Sequence, residues 1–123
     1  MKPVYIINGF LESGKTEFIA YMLEQPYFQI KGKTLLILCE EGEVEYEEEL
    51  LEGTQTVLEL IEDEEEFTPA YLIELEKKHR PERIIIEYNG MWNYKEIKLP
   101  WHWAVEQQVT TIDGTTFAMY FNN

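Results

Sequence analysis

The sequence predicts an α/β fold: a mostly parallel sheet with helices on both faces, built as one domain over residues 1–123. Three observations predict it. Short runs of apolar, often β-branched residues recur along the chain in the form of buried strands. Segments with helical spacing, bounded by prolines, lie between them. Apolar residues make up 45% of the 123 positions, enough for one real core and against disorder.

Residues 3–8 (PVYIIN) form the first strand candidate, which stops at Gly9. After Lys15, Phe18, Ile19, Met22 and Leu23 recur at helical spacing, and Pro26 marks the end of that helix. Residues 33–39 (KTLLILC) read as a second buried strand and residues 56–61 (TVLELI) as a shorter third. The connection between them looks irregular rather than helical. Residues 68–80 (TPAYLIELEKKHR) read as a helix, with Thr68 as N-cap, Pro69 in the first turn and a basic C-terminal end that suits the helix dipole. Residues 83–88 (RIIIEY) are the clearest central strand, because three consecutive isoleucines suit a sheet covered on both faces. Residues 107–112 and 116–121 are strand candidates around the turn signal Asp113-Gly114.

A formal charge of -14 opposes attraction to nucleic acid or to an anionic membrane surface, so neither is an expected partner. The amino-terminal residues enter a strand pattern directly, no apolar run approaches a membrane span, and the single cysteine, Cys39, excludes an internal disulfide. A cytoplasmic location is expected. No Lys, Arg or His lies between Thr34 and Glu76, where EEGEVEYEEELLE and EDEEEF crowd together. Such runs read as a solvated surface or, more sharply, as a hard-cation site. Trp92, Trp101 and Trp103 are expected to pack rather than to form a partner surface. His79 suits a helix end, and two isolated histidines with one cysteine make no zinc site.

The chemistry lies in Gly9-Phe10-Leu11-Glu12-Ser13-Gly14-Lys15-Thr16, which fits G-x-x-x-x-G-K-S/T without a mismatch. It leaves a strand and opens a helix, the context in which successive backbone N–H groups and the positive helix terminus converge on phosphates. Lys15 is then expected to reach the β- and γ-phosphates and Thr16 to ligate Mg²⁺, with the amides from Glu12 through Thr16 as the cradle. Glu87 closes the isoleucine run, where a second acidic group would hold the metal or its water shell. Gly90 follows three residues later, placed to sense a terminal phosphate. The fold expectation thus becomes P-loop NTPase-like.

With these motifs the chain resembles the CobW-like family of P-loop GTPases, which includes cobalamin-synthesis and metal-homeostasis proteins. YIINGFLESGKTEFI is similar to that family's first strand and phosphate loop, LILCEEGEVEY to its second strand with E-x-G-E, and TVLELIEDEEEF to the strand leading to its cysteine motif. RIIIEYNG resembles its E-x-x-G segment, and VTTIDGTTF the next strand with its aspartate. The resemblance implies GTP and Mg²⁺ binding, slow hydrolysis, and a role in metal delivery or metalloenzyme assembly with a metalloprotein client. It assigns phosphate binding to Gly9, Glu12, Ser13, Gly14, Lys15 and Thr16, metal and switch roles to Glu87 and Gly90, and places Glu40 and Glu43 after the second strand. Lys15 and Glu87 are the expected catalytic pair, and Thr16 and Glu87 the expected metal ligands.

Three departures qualify this. Where the family's C-x-C-C motif would follow Leu60, the chain has Glu62-Asp63-Glu64-Glu65-Glu66. No N-K-x-D guanine motif occurs before Asn123, so GTP over ATP rests on the resemblance, and the chain is expected to be the N-terminal part of a larger domain or a degenerate member. Glu12 stands where the family has glycine, and Glu17 where it has a second hydroxyl. Two charges about 4 Å apart repel by roughly 1 kcal/mol in water and roughly 4 kcal/mol near a protein surface, against roughly 8 kcal/mol for micromolar binding. Because the loop binds through backbone amides, the expectation is weakened binding rather than none. The competing readings are a non-catalytic interaction or metal-handling module and a small-molecule phosphotransferase.

Overall fold

The structure is a computed structural model that describes residues 1–9, 14–39, 46–92, 97–113 and 116–120, of which 111–113 and 116–120 by backbone alone. Six strands form one sheet: β1 (Lys2–Asn8), β2 (Thr34–Leu38), β3 (Thr56–Leu60), β4 (Arg83–Glu87), β5 (Trp103–Asp113) and β6 (Thr116–Tyr120). Their order is β3-β2-β4-β1-β5-β6. The first five run parallel, and β6 closes the edge antiparallel to β5. Helix α1 (Lys15–Glu24) links β1 to β2, α2 (Glu48–Gly53) lies between β2 and β3, and α3 (Pro69–His79) precedes β4.

The strands' two-residue period divides the core. Val4, Ile6, Leu35, Ile37, Ile84 and Ile86 point to one face, where Leu72 and Leu75 of α3 cover them. Ile7, Leu36, Leu38 and Ile85 point to the other, under Ile19, Met22 and Leu23 of α1. Ile84, Ile85 and Ile86 are all 0% exposed, which explains the continuous apolar run. Thr68 caps α3, its side chain accepting from Tyr71 N–H at 3.2 Å.

The connection expected to be irregular instead holds α2, six residues long. Its acidic face hid the signal, but Leu50 and Leu51 turn inward onto the α1 face of the sheet and hold the helix there. Strand β5 begins at Trp103, four residues earlier than expected. Its register against β1 shifts between Val4 and Tyr5, whose partners are Val105 and Gln107. Glu106 is therefore an extra residue that breaks the alternation, and the part legible in sequence begins just after it. Trp103 is 5% exposed, as expected of a packing residue, whereas Trp101 is 85% exposed and lies outside the core, with its ring edge-on to His102 at 5.3 Å between centroids.

Both histidines bind carboxylates of the α3 face. His79 Nε2 lies 2.5 Å and Lys78 Nζ 2.9 Å from Glu59 Oε2 on β3. Glu76 Oε1 meets His102 Nε2 at 2.6 Å and accepts from Trp103 Nε1 at 2.9 Å. Burial raises the pKa of each glutamate, but the hydrogen bonds and positive charge around it prevail. Both carboxyls lie below the usual glutamate range.

No helix among the described residues is long and apolar enough to cross a membrane.

Candidate phosphate-binding site

The site lies at the carboxyl end of the parallel strands, where β1 leads away to β2 on one side and β4 leads to β5 on the other. Ile7 and Glu87 are register partners, so the residues following β1 and β4 emerge side by side. Tyr88 N–H continues the pairing, donating to Ile7 O at 2.8 Å.

Gly9 ends β1 with φ 148°, a conformation that disfavours side chains. Its N–H donates to Asn8 Oδ1 at 2.9 Å. The chain re-enters the described structure at Gly14, the N-cap of α1, with φ 95° and ψ 15°. Gly14 has no side chain with which to cap the helix. Lys15 is 3% exposed and donates from Nζ to Gly9 O at 2.7 Å and to Tyr88 O at 3.2 Å. Its ammonium thus joins the start of the loop to the end of β4. Thr16 Oγ1 donates to Glu87 Oε1 at 2.8 Å, and Glu87 is 4% exposed. These two hard oxygen atoms, brought together from residues 71 apart in sequence, are of the chemical type that suits Mg²⁺.

Gly9, Gly14, Lys15, Thr16 and Glu87 are thus brought together at one end of the sheet. Gly90 lies in a turn just past Glu87, where Asn89 Oδ1 accepts from Met91 N–H at 2.8 Å and Asn89 O from Trp92 N–H at 3.0 Å. Glu17 is exposed in the first turn of α1. Glu12, Ser13, Glu40 and Glu43 lie outside the described residues. Among the described residues, no three His, Cys, Asp or Glu side chains gather in a way that could hold a metal ion, so the hard-cation reading of the acidic runs gains no support there. The backbone carbonyl of Tyr88 is the contact that sequence reading missed. The motif specifies the lysine but not which neighbouring strand will receive it.

Comparison with known proteins points to a family. The family model described as CobW/HypB/UreG, nucleotide-binding domain, matches residues 3–120. The chain is 28% identical over 126 aligned positions to a protein named zinc chaperone CobW from Sinorhizobium sp., an alignment covering 91% of this chain and 34% of that protein. This chain thus spans about a third of the relative's length. No solved structure matches it. With a matching family model over residues 3–120, and with Thr16 meeting Glu87 while Lys15 is held by the carbonyls of Gly9 and Tyr88, the chain belongs to the CobW/HypB/UreG nucleotide-binding domain family.

Proposed function

We propose that this domain binds a nucleoside triphosphate, GTP by its family, together with Mg²⁺, hydrolyses it slowly, and couples that cycle to metal homeostasis or to assembly of a metalloenzyme. The observation that carries the proposal is the contact of Thr16 Oγ1 with Glu87 Oε1 at 2.8 Å beside the anchored ammonium of Lys15. Lys15 and the amides at the start of α1 would bind the phosphates and stabilise charge developing on the transferred group. Thr16 and Glu87 would hold the metal, and Glu87 would orient a water for in-line attack. Bound Mg²⁺ would supply neutralisation of charge on the β- and γ-phosphate oxygens.

Metal handling enters through the relative's name. A thiolate site is not part of the proposal, because the single cysteine is fully buried at the end of β2 and residues 62–66 are carboxylates. The role is placed in the cytoplasm, with a metalloprotein as client. Titration calorimetry of the protein with GTP and with ATP, each with and without Mg²⁺, tests the reading. Magnesium-dependent binding of at least one nucleotide is expected. Absence of binding for both at millimolar concentration would overturn it and favour an interaction module that keeps only the fold.

A further inference from the structure

Among its contacts, Lys15 Nζ donates to the carbonyl of Gly9 in its own loop and to that of Tyr88 just past β4, and the second contact depends on how Tyr88 is fixed. The Tyr88 ring is buried, 2% exposed, although its carbonyl faces the phosphate site. The ring meets Phe67 edge-on at 5.4 Å between centroids and Trp92 at 5.6 Å, and Phe67 meets Trp92 at 6.2 Å. The three rings form a closed triangle of T-shaped contacts, the arrangement that aromatic quadrupoles favour. Trp92 reaches Tyr88 because the Asn89 turn folds the chain back, and Gly90 lies inside that turn. Phe67 is the residue that closes the exposed acidic 3₁₀ turn Glu64–Glu66, with its N–H donating to Glu64 O at 3.1 Å.

We infer that Tyr88 is a positioning residue for nucleotide binding: Phe67 and Trp92 lock its ring, the locked backbone aims its carbonyl, and that carbonyl sets Lys15 Nζ over the phosphate site. The inference rests on the proposed nucleotide binding and extends it to residues outside the loop. The chemistry favours such a lock. Lysine has a flexible four-carbon stem and a point charge, so an ammonium already held in place loses less freedom when a phosphate arrives. The carbonyl of residue 88 survives any substitution there, so the side chain acts only through the backbone it immobilises. The acidic turn consequently abuts the lysine's anchor through Phe67, and displacement of that turn would move the anchor with it.

The test measures magnesium–GTP affinity by calorimetry, with far-ultraviolet circular dichroism and urea midpoints as fold controls, in wild type, Tyr88→Ala, Tyr88→Phe, Trp92→Ala and Lys15→Ala. Tyr88→Ala and Trp92→Ala are expected to weaken binding by about tenfold, the scale set by freeing a lysine side chain. Tyr88→Phe, which keeps the ring, is expected to restore affinity to within about threefold of wild type on the same scale. The decisive arm is Lys15→Ala with Tyr88→Ala: if Tyr88 acts through Lys15, the double variant binds no more weakly than Lys15→Ala, while the urea midpoints remain additive. Wild-type affinity in a folded Tyr88→Ala or Trp92→Ala protein, or additive losses of affinity with Lys15→Ala, would overturn the inference. If Tyr88→Ala fails to fold, Trp92→Ala, at a half-buried position, carries the same comparison. Failure of the wild type itself to bind nucleotide would remove the underlying reading and the inference together, and is told apart because all variants then behave alike.

Discussion

Replacing Thr16 by valine removes one oxygen and nothing else of comparable size, and its consequences follow from the contact with Glu87. The hydroxyl donates to a carboxylate at 2.8 Å, and Glu87, at 4% exposed, has little access to replacement water. Hydrogen bonds to charged groups contribute about 1.5–3 kcal/mol, and a partner left unsatisfied in a buried site loses a similar amount. The contact is only partly buried, so the lower part of that range applies, about 1.5 kcal/mol. With a urea slope of about 1.5 kcal/mol/M for a small domain, the midpoint should fall by about 1 M. Thr16→Ser keeps the donor and should recover most of the loss. Nucleotide affinity should behave in parallel: the gain caused by Mg²⁺ in wild type should disappear in Thr16→Val and persist in Thr16→Ser. In a Glu87→Gln background, Thr16→Val should cost clearly less than in wild type, since the charged acceptor is gone. A Thr16→Val midpoint within about 0.3 M of wild type, together with an undiminished effect of Mg²⁺, would refute the assignment of these residues as a metal-holding pair.

Three further outcomes are expected. Gly14→Ala places a side chain at φ 95°, which should destabilise the protein by about 1–2 kcal/mol and weaken nucleotide binding, as read by urea denaturation and calorimetry. Glu17→Thr removes an exposed charge from the first turn of α1 and should strengthen magnesium–GTP binding by about fivefold at low salt, less at high salt; unchanged affinity at low salt would show that Glu17 lies too far from the phosphates to matter. Glu59 and Glu76 have folded pKa values below their unfolded ones, so their stabilisation is complete above the ordinary glutamate value of about 4.3 and is withdrawn as pH falls through the lower folded values. Unfolding scans should therefore show a shallower acid decline in Glu59→Gln and Glu76→Gln than in wild type, and an identical decline would count against the two α3 clamps.

The local grammar of this chain was readable wherever one residue type performs one task. Three isoleucines before Glu87 are readable because a central strand buried on both faces tolerates little else, and Thr68-Pro69 is readable because cap chemistry is local. The phosphate loop was readable because its two ends require glycine at positive φ. Features that depend on distant partners were not readable. The inward side of α2 exists only once Leu50 and Leu51 meet the sheet. The bulge at Glu106 is a property of pairing with β1, not of the sequence of β5. Trp101 and Trp103 look alike in sequence, yet only Trp103 meets a carboxylate, Glu76, brought from 27 residues away. The anchoring of Lys15 on Tyr88 likewise crosses 73 residues.

Helix α1 carries Glu24 at its carboxyl end with no basic residue in its last turn, and begins at a glycine. Its own electrostatics leave the carboxyl end unfavourable, while at the amino end the exposed Glu17 of the first turn meets the dipole in part. A bound polyanion would add further negative charge at the amino end, so ordering of this helix and occupation of the site would share part of one free energy. Ligand at one hundred times its dissociation constant would then raise stability by about 2.7 kcal/mol, and melting temperature becomes a binding measurement. The domain's heat resistance would then report the nucleotide supply around it.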